Sequence, residues 1–312
     1  MKFKGFLTDN GVYLLERKFV PALEKIGKNC HLYLTKDHVI FLHNVLNADG
    51  VQAIAQFKKE VLFEDYRISS QNDDRIAFTV DLSLLLRALK SSVSMDGEKL
   101  QVKLVKKRTV GSERPIPFLT LESMGYKSAI IQDVPISNPL SRVDVHELQS
   151  ALDMAQELPQ TLVQVPDLVQ LQSLIDRLKN VGEVLDVAIT QYGDFHLKVS
   201  TTCITIGSDY RRLRVVGVRA NDASSLDETV SSSARIERAI QRGEASSVQV
   251  NIKHFAKSIQ CHLARPDAAF YGIATQGACL TVIFQFFVPG TRQTDNSISL
   301  HCRLPVLDPG FC

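Results

Sequence analysis

The sequence lacks the short patterns that mark the common enzyme chemistries. It has no G-x-x-x-x-G-K-[ST] phosphate loop, no G-x-G-x-x-G, no G-x-S-x-G and no H-E-x-x-H. Residue pattern therefore singles out no catalytic group and no cofactor, and a non-enzymatic role is the expectation. An excess of one charge is also missing: 36 Lys and Arg face 34 Asp and Glu, a net charge of +2. Attraction to nucleic acid would have to come from how the charge is distributed. No apolar run exceeds strand length, the longest being of the kind at 281–288, so no membrane helix is expected. The start MKFKGFLTDN lacks the apolar centre of a secretory signal, which predicts an intracellular protein. The six cysteines include no C-x-x-C, and most lie in apolar strand-like segments, as packed reduced thiols do.

What is present in one place is a concentration of zinc-type ligands. Residues 30–43, CHLYLTKDHVIFLH, hold Cys30, His31, His38 and His43. A structural zinc needs four such ligands to converge. The stretch alternates about a Thr35-Lys36-Asp37-His38 turn, which predicts a half-buried β-hairpin with Leu34 facing Val39. In that register Cys30 opposes His43, His31 and Tyr33 point to the other face, and His38 sits at the turn. Two ligands on one face do not make a metal site, and none is expected.

At 312 residues the chain exceeds what one core comfortably serves, so two domains of about 150 residues are expected. Val12, Leu15, Phe19, Leu23 and Ile26 form one apolar stripe and predict a helix from Val12 to about Lys28. Strands are predicted at 1–7, 30–34, 39–43, 51–56, 60–66, 76–80, 100–105, 118–121 and 128–136, with a second helix at 82–91. Residues 137–160 break the strand rhythm and are the candidate connector. A helix is expected over Val145–Leu158, docked through Val145, Leu148, Leu152 and Met154, which are too apolar for a free tether. The second part repeats the order: a strand at 161–165, a helix at 168–181, and strands at 184–190, 194–199 and 203–218. A serine-rich loop at 220–247 follows, partly helical near 236–240. A strand at 248–252, a helix at 253–264 and strands at 269–275, 278–288 and 297–306 complete the chain.

The two parts can be laid on one another. At an offset of 170 residues Phe78, Val80 and Leu82 fall on Val248, Val250 and Ile252, while Leu85 and Leu89 fall on Phe255 and Ile259. At the same offset Val134-Pro135-Ile136 falls on Leu304-Pro305-Val306. Each part thus closes on a strand ended by proline, as expected of a duplicated unit. The chain divides at 1–136, 137–160 and 161–312, with antiparallel sheets and helices gathered on one face of them, an α+β arrangement. Opposite the apolar stripes lie Arg17, Lys18, Lys25 and Lys28 on the first helix, and Arg87 and Lys90 on the second. Arg177 and Lys179 lie on the third; His254 joins Lys253, Lys257 and Arg265 on the fourth. Four such helices side by side would make a basic surface suited to phosphates without reading bases.

This duplicated order, with its long connector and basic helices, resembles the PCNA-like DNA sliding clamps, and more specifically the Hus subunits of the heterotrimeric nine-one-one checkpoint clamp. Carrying the resemblance are Met1-Lys2-Phe3-Lys4, KIGKNCHLYLTKDHVIFL at 25–42, LLLRALK at 84–90, Asp133-Val134-Pro135-Ile136 and VIFQFFVP at 282–289. It implies two tandem clamp domains with sheets outside and four helices inside. It also implies a nuclear subunit that joins two other clamp-like chains, encircles double-stranded DNA, is loaded by a checkpoint clamp loader and receives repair enzymes. Arg17, Lys18, Lys25, Lys28, Arg87, Lys90, Arg177, Lys179, Lys253 and Lys257 would face DNA, and the connector would be the partner-docking strap, more acidic and helical here than in replicative clamps. A homotrimeric replicative clamp and a metal-dependent enzyme using Cys30, His31, His38 and His43 are the alternatives.

Overall fold

Thr8 begins the first helix: its Oγ1 accepts the Gly11 N–H at 2.8 Å, an N-cap that starts the helix at Asp9, three residues before the apolar stripe announces it. The computed structural model describes residues 1–46, 50–92, 99–108, 114–124, 129–165, 167–219 and 231–307. The first half runs β1 (Lys2–Leu7), α1 (Asp9–Tyr13), a π-helical turn (Leu14–Phe19), α2 (Val20–Ile26), β2 (Asn29–Leu34), β3 (His38–His43), β4 (Gln52–Lys58), α3 (Lys59–Leu62), β5 (Phe63–Ser69), β6 (Ile76–Asp81), α4 (Leu82–Ser92), β7 (Leu100–Lys107), β8 (Ile116–Met124) and β9 (Ala129–Pro135). The connector holds α5 (Arg142–Ala155). The second half runs β10 (Thr161–Val165), α6 (Leu168–Leu178), β11 (Val184–Thr190), β12 (Phe195–Ser200), β13 (Thr205–Tyr210), β14 (Val215–Gly217), α7 (Ser232–Gln241), β15 (Ala245–Asn251), α8 (Ile252–Ile259), a 3-10 extension (Gln260–Ala264), β16 (Ala268–Ile273), β17 (Cys279–Gln285) and β18 (Ile298–Pro305).

Several sequence expectations change in detail. The wide π turn precedes Pro21, whose missing N–H and bulky ring disfavour a regular α-turn there; Val20 N–H reaches back to Leu15 O instead. The strand expected over 60–66 starts as α3. A side chain on Gly11 would meet Leu62 O at 2.3 Å, so α1 packs on that backbone only through glycine. The single strand expected over 203–218 is two, β13 and β14, and Arg212 between them has φ of 57°. The serine-rich segment contains α7, longer than expected, and the beginning of β15; its residues 220–230 lie outside the described ones.

Three antiparallel sheets result, in the orders β5-β1-β7-β8-β9, β14-β10-β16-β17-β18-β4-β3-β2-β6 and β13-β12-β11-β15. The duplication is visible in these orders. Strands β14-β10-β16-β17-β18 repeat β5-β1-β7-β8-β9, and β13-β12-β11-β15 repeat β4-β3-β2-β6. Two isolated bridges, Val80 to Ile136 and Val250 to Val306, are the same contact 170 residues apart. The central sheet therefore fuses five strands of the second half to four of the first, through β18 and β4, with Ile298 opposite Phe57 and Cys302 opposite Ala53. Beneath this seam Phe19, fully buried, touches Phe57 at 4.6 Å between ring centres and Phe286 of the other half at 5.2 Å.

Helix α5 is fixed by a capping box between Ser141 and Asp144. Val145, Leu148, Leu152 and Ala155 bury against Tyr33, Ile40, Leu42, Ile54 and Ala77, and Tyr33 OH donates to Gln149 Oε1 at 2.9 Å. The hairpin of β2 and β3 is thus covered on both faces rather than half-buried. Met154 falls off the stripe and is 64% exposed; Ala155 takes the buried place.

Phe19→Ala removes a ring shared by both halves and should cost about 3–5 kcal/mol. Urea unfolding followed by reporters in each half should show one transition at a lower midpoint; independent domains would leave one reporter unmoved.

Candidate nucleic-acid interface

Four helical segments lie in a row, α4 beside α2, α2 beside α8 with its 3-10 extension, and α8 beside α6. Each turns a stripe toward the sheets: Val20, Leu23 and Ile26 on α2; Leu82, Leu85, Leu86 and Leu89 on α4; Leu171, Ile175 and Leu178 on α6; Ile252, Phe255 and Ile259 on α8. With the apolar side taken, Lys25, Arg87, Lys90, Arg177, Lys253 and Lys257 stand exposed on the other.

The ten predicted basic residues do not form one class. Arg17 pairs with Glu16 at 3.1 Å, Lys28 with Asp81 at 3.1 Å, Lys179 with Asp176 at 2.6 Å and Lys253 with Glu183 at 2.9 Å. Lys18 lies half-buried over the Tyr13 ring, 5.6 Å from its centre. Among the described residues Lys25, Arg87, Lys90 and Lys257 have no carboxylate within 4.0 Å; Arg177 contacts only the Ser173 carbonyl of its own helix, at 3.3 Å. These five are spread over all four helices. Arg87 and Lys257 are repeat mates at the 170-residue offset. Dispersed, unpaired cations release counterions on phosphate contact and carry no base-specific geometry.

The hairpin that carries the histidines lies behind this layer. Its register places Leu34 opposite Val39, as predicted, and His31 opposite Leu42. Cys30 and His43 are buried on it, whereas His31 turns away and contacts Thr79 Oγ1 through Nδ1 at 3.1 Å. The Cys30 thiol donates to Leu42 O at 3.4 Å, and burial pushes its pKa far up, so it is a packed thiol. Burial also holds His43 down to about 4; the carbonyls of Leu23 and Asn29 oppose this, and the charge of Lys257 reinforces it.

Two features have no signal in the sequence pattern. The strands β9 and β13 each end a sheet, with Ile131 on β9 55% exposed and Ile206 on β13 41% exposed. Alternation in 128–136 marks a strand but does not say that it lies at an edge. A groove of about 590 Å³ opens beside the C-terminal end of α5, bordered by Leu158, Leu162, Val216, Phe270 and Phe284. It is built from residues far apart in the chain.

Duplicated sheets fused at a central seam and a row of helices with free cations define a sliding-clamp fold. The crystal structure of proliferating cellular nuclear antigen from Entamoeba histolytica matches it with a TM-score of 0.60, over 98% of this chain and 99% of that one, at 7% identity. Within that class the chain belongs to the Hus1-like protein family, whose model matches residues 1–292. The checkpoint protein hus1 homolog of Dictyostelium discoideum is 28% identical over 273 residues, 86% of this chain and 88% of that protein. Human checkpoint protein HUS1 is 24% identical over 222 residues, 68% of this chain and 74% of that one.

His43 gives a pH prediction. The unfolded chain takes up a proton on this side chain below about 6.5, the fold only below about 4. Stability should fall as pH drops through that window, by up to about 3 kcal/mol. Thermal melts from pH 7 to 4 should show the loss, and His43→Leu should reduce it, leaving the part carried by His301, which burial also holds down to about 4.

Proposed function

We propose that this chain is one subunit of a ring-shaped heterotrimeric clamp that encircles double-stranded DNA in damage-checkpoint signalling and repair. The observation that carries this is the seam. Inside the chain β18 pairs with β4. Their repeat mates, β9 and β13, each end a sheet and so lack the partner that β18 and β4 find in one another. A neighbour's β13-like strand on β9, and another's β9-like strand on β13, would regenerate the same nine-stranded sheet at each boundary. Edge strands with exposed isoleucines demand such cover. Continued around, this gives a closed ring with the sheets outside and the helix rows inside.

The neighbours in this reading are two other clamp-like chains, one at each edge, as the kinship with checkpoint proteins suggests. The inward cations hold the duplex by its phosphates and leave the ring free to slide. A checkpoint clamp loader opens and closes it, in the nucleus. The chain works as a scaffold rather than an enzyme. Because Val145, Leu148 and Leu152 are used up in seating α5 on its own sheet, they serve the strap from within. Docking of repair enzymes then falls to the groove beside α5, with exposed Met154 and Leu158 at hand.

Two experiments test this reading. Ile131→Asp and Ile206→Asp lie on exposed edge positions, so each should change the stability of the free chain by only about 0.5 kcal/mol. Each should block its own ring boundary in co-purification with the partner chains; rings that form normally would refute edge pairing. Lys25→Glu with Arg87→Glu should release the assembled ring from circular DNA at lower salt and reduce the salt slope by about 2. Unaltered retention would mean that the layer is merely solvated.

A further inference from the structure

Where α8 meets the end of β3, the helix layer is broken by a cavity of about 380 Å³. Its walls include Ile26 and Val51, its polar groups come from Asn44, His254 and Lys257, and among the described residues no acidic side chain lines it. Gly50 lies at its floor with φ of +98°; a Cβ there would stand 3.5 Å from Asn44 Nδ2 and 3.9 Å from His254 Nε2. Two nitrogens from different halves of the chain therefore aim across one empty space that a side chain would fill. Asn44 Nδ2 spends one hydrogen on Val51 O at 3.0 Å and keeps the second. His254 Nδ1 is buried without a partner. A neutral imidazole carries one hydrogen, and with Nδ1 closed off from any acceptor the Nε2–H form presents it to the cavity. Lys257 follows His254 by three residues on α8, hence on the same face. Burial first, and the Lys257 charge second, hold His254 below its ordinary pKa. The same charge acts on His43, whose Nε2 is likewise buried without a partner. Positive charge and free N–H groups thus converge on a space to which no described residue brings a carboxylate.

We propose that this cavity seats a phosphate, held by Asn44 Nδ2, His254 Nε2 and Lys257 Nζ, and that in the assembled ring the phosphate is a phosphodiester of the encircled duplex. The second clause rests on the DNA-facing reading of the helix layer; the first does not. The seat belongs to the seam alone. At the 170-residue offset Lys257 corresponds to Arg87 but His254 to Leu84, so the first half offers a cation without the imidazole. An anion bound by donors fixed in the protein is held in place, whereas a lysine on the open surface holds it loosely. The seat therefore gives the sliding surface one defined point of contact with the backbone.

The test has two arms. In the first, the full chain is titrated with inorganic phosphate at pH 7 while the histidine ring resonances are followed. The His254 signal should shift saturably, with the same midpoint in Arg87→Glu and about tenfold weaker binding in Lys257→Met. No saturable shift, or an unchanged midpoint in Lys257→Met, overturns the seat. In the second, rings assembled with His254→Leu, the residue the repeat carries, are compared with rings carrying Arg87→Glu for salt-dependent retention on circular DNA. His254→Leu should release the ring at lower salt with its slope unchanged, because a neutral imidazole displaces no counterion, whereas Arg87→Glu should lower the slope by about 1 or more. Normal retention in His254→Leu beside a lowered slope in Arg87→Glu overturns DNA as the source of the phosphate. Normal retention in His254→Leu with a normal slope in Arg87→Glu overturns the DNA-facing reading and the second clause with it, while the first arm still decides the seat.

Discussion

The pairing of β18 with β4 is the contact on which the rest of the molecule depends. It joins the fifth strand of one duplicated unit to the first of the four-stranded set in the other, and turns two half-sheets into one of nine strands. Phe19 locks the seam from the helix side by touching aromatic rings of both halves. The same join sets the helix rows beside each other, brings Asn44 within reach of α8 and leaves β9 and β13 as the two unfilled copies of the seam. A chain that solves an edge problem internally, and presents the same edges outward, is built to continue in a ring.

The helix layer shows how a nearly neutral chain presents a basic surface. Half of the expected basic groups are taken by a carboxylate of the same chain or by an aromatic ring. What remains is a thin, even scatter of cations across four helices. In the proposed ring this thinness has a use: a dense patch would grip the duplex, and a hydrogen-bonding array would read it. A clamp has to do neither.

Much of this architecture is legible in the order of the amino acids. The 170-residue offset predicts the duplication, and the two bridges Val80–Ile136 and Val250–Val306 are its physical form. Period-two alternation sets the register of the 30–43 hairpin, because one slip would turn every apolar side chain over. The apolar stripes predict which lysines point outward. They do not predict which of those are neutralised, since Asp81 and Glu183 reach their partners only through the tertiary fold. Proline at position 21 announces a disturbance without saying that it is a π turn. Met154 is misplaced by reading apolarity without phase: three residues of the stripe are buried, and the fourth buried one is Ala155, whose small size gives little signal. Edges, grooves and the cavity over Gly50 depend on which strands end next to which, and a single chain's pattern does not encode that locally.

The proposed ring requires that β9 and β13, the two unfilled copies of the seam, be completed by other clamp-like chains and not by copies of this one. Native mass measurement tests it most directly, on the chain alone and on the complex isolated from cells through this chain. The account predicts a monomer alone and, from cells, a ring of three different chains present once each. A stable ring of three identical copies formed by this chain alone would contradict it.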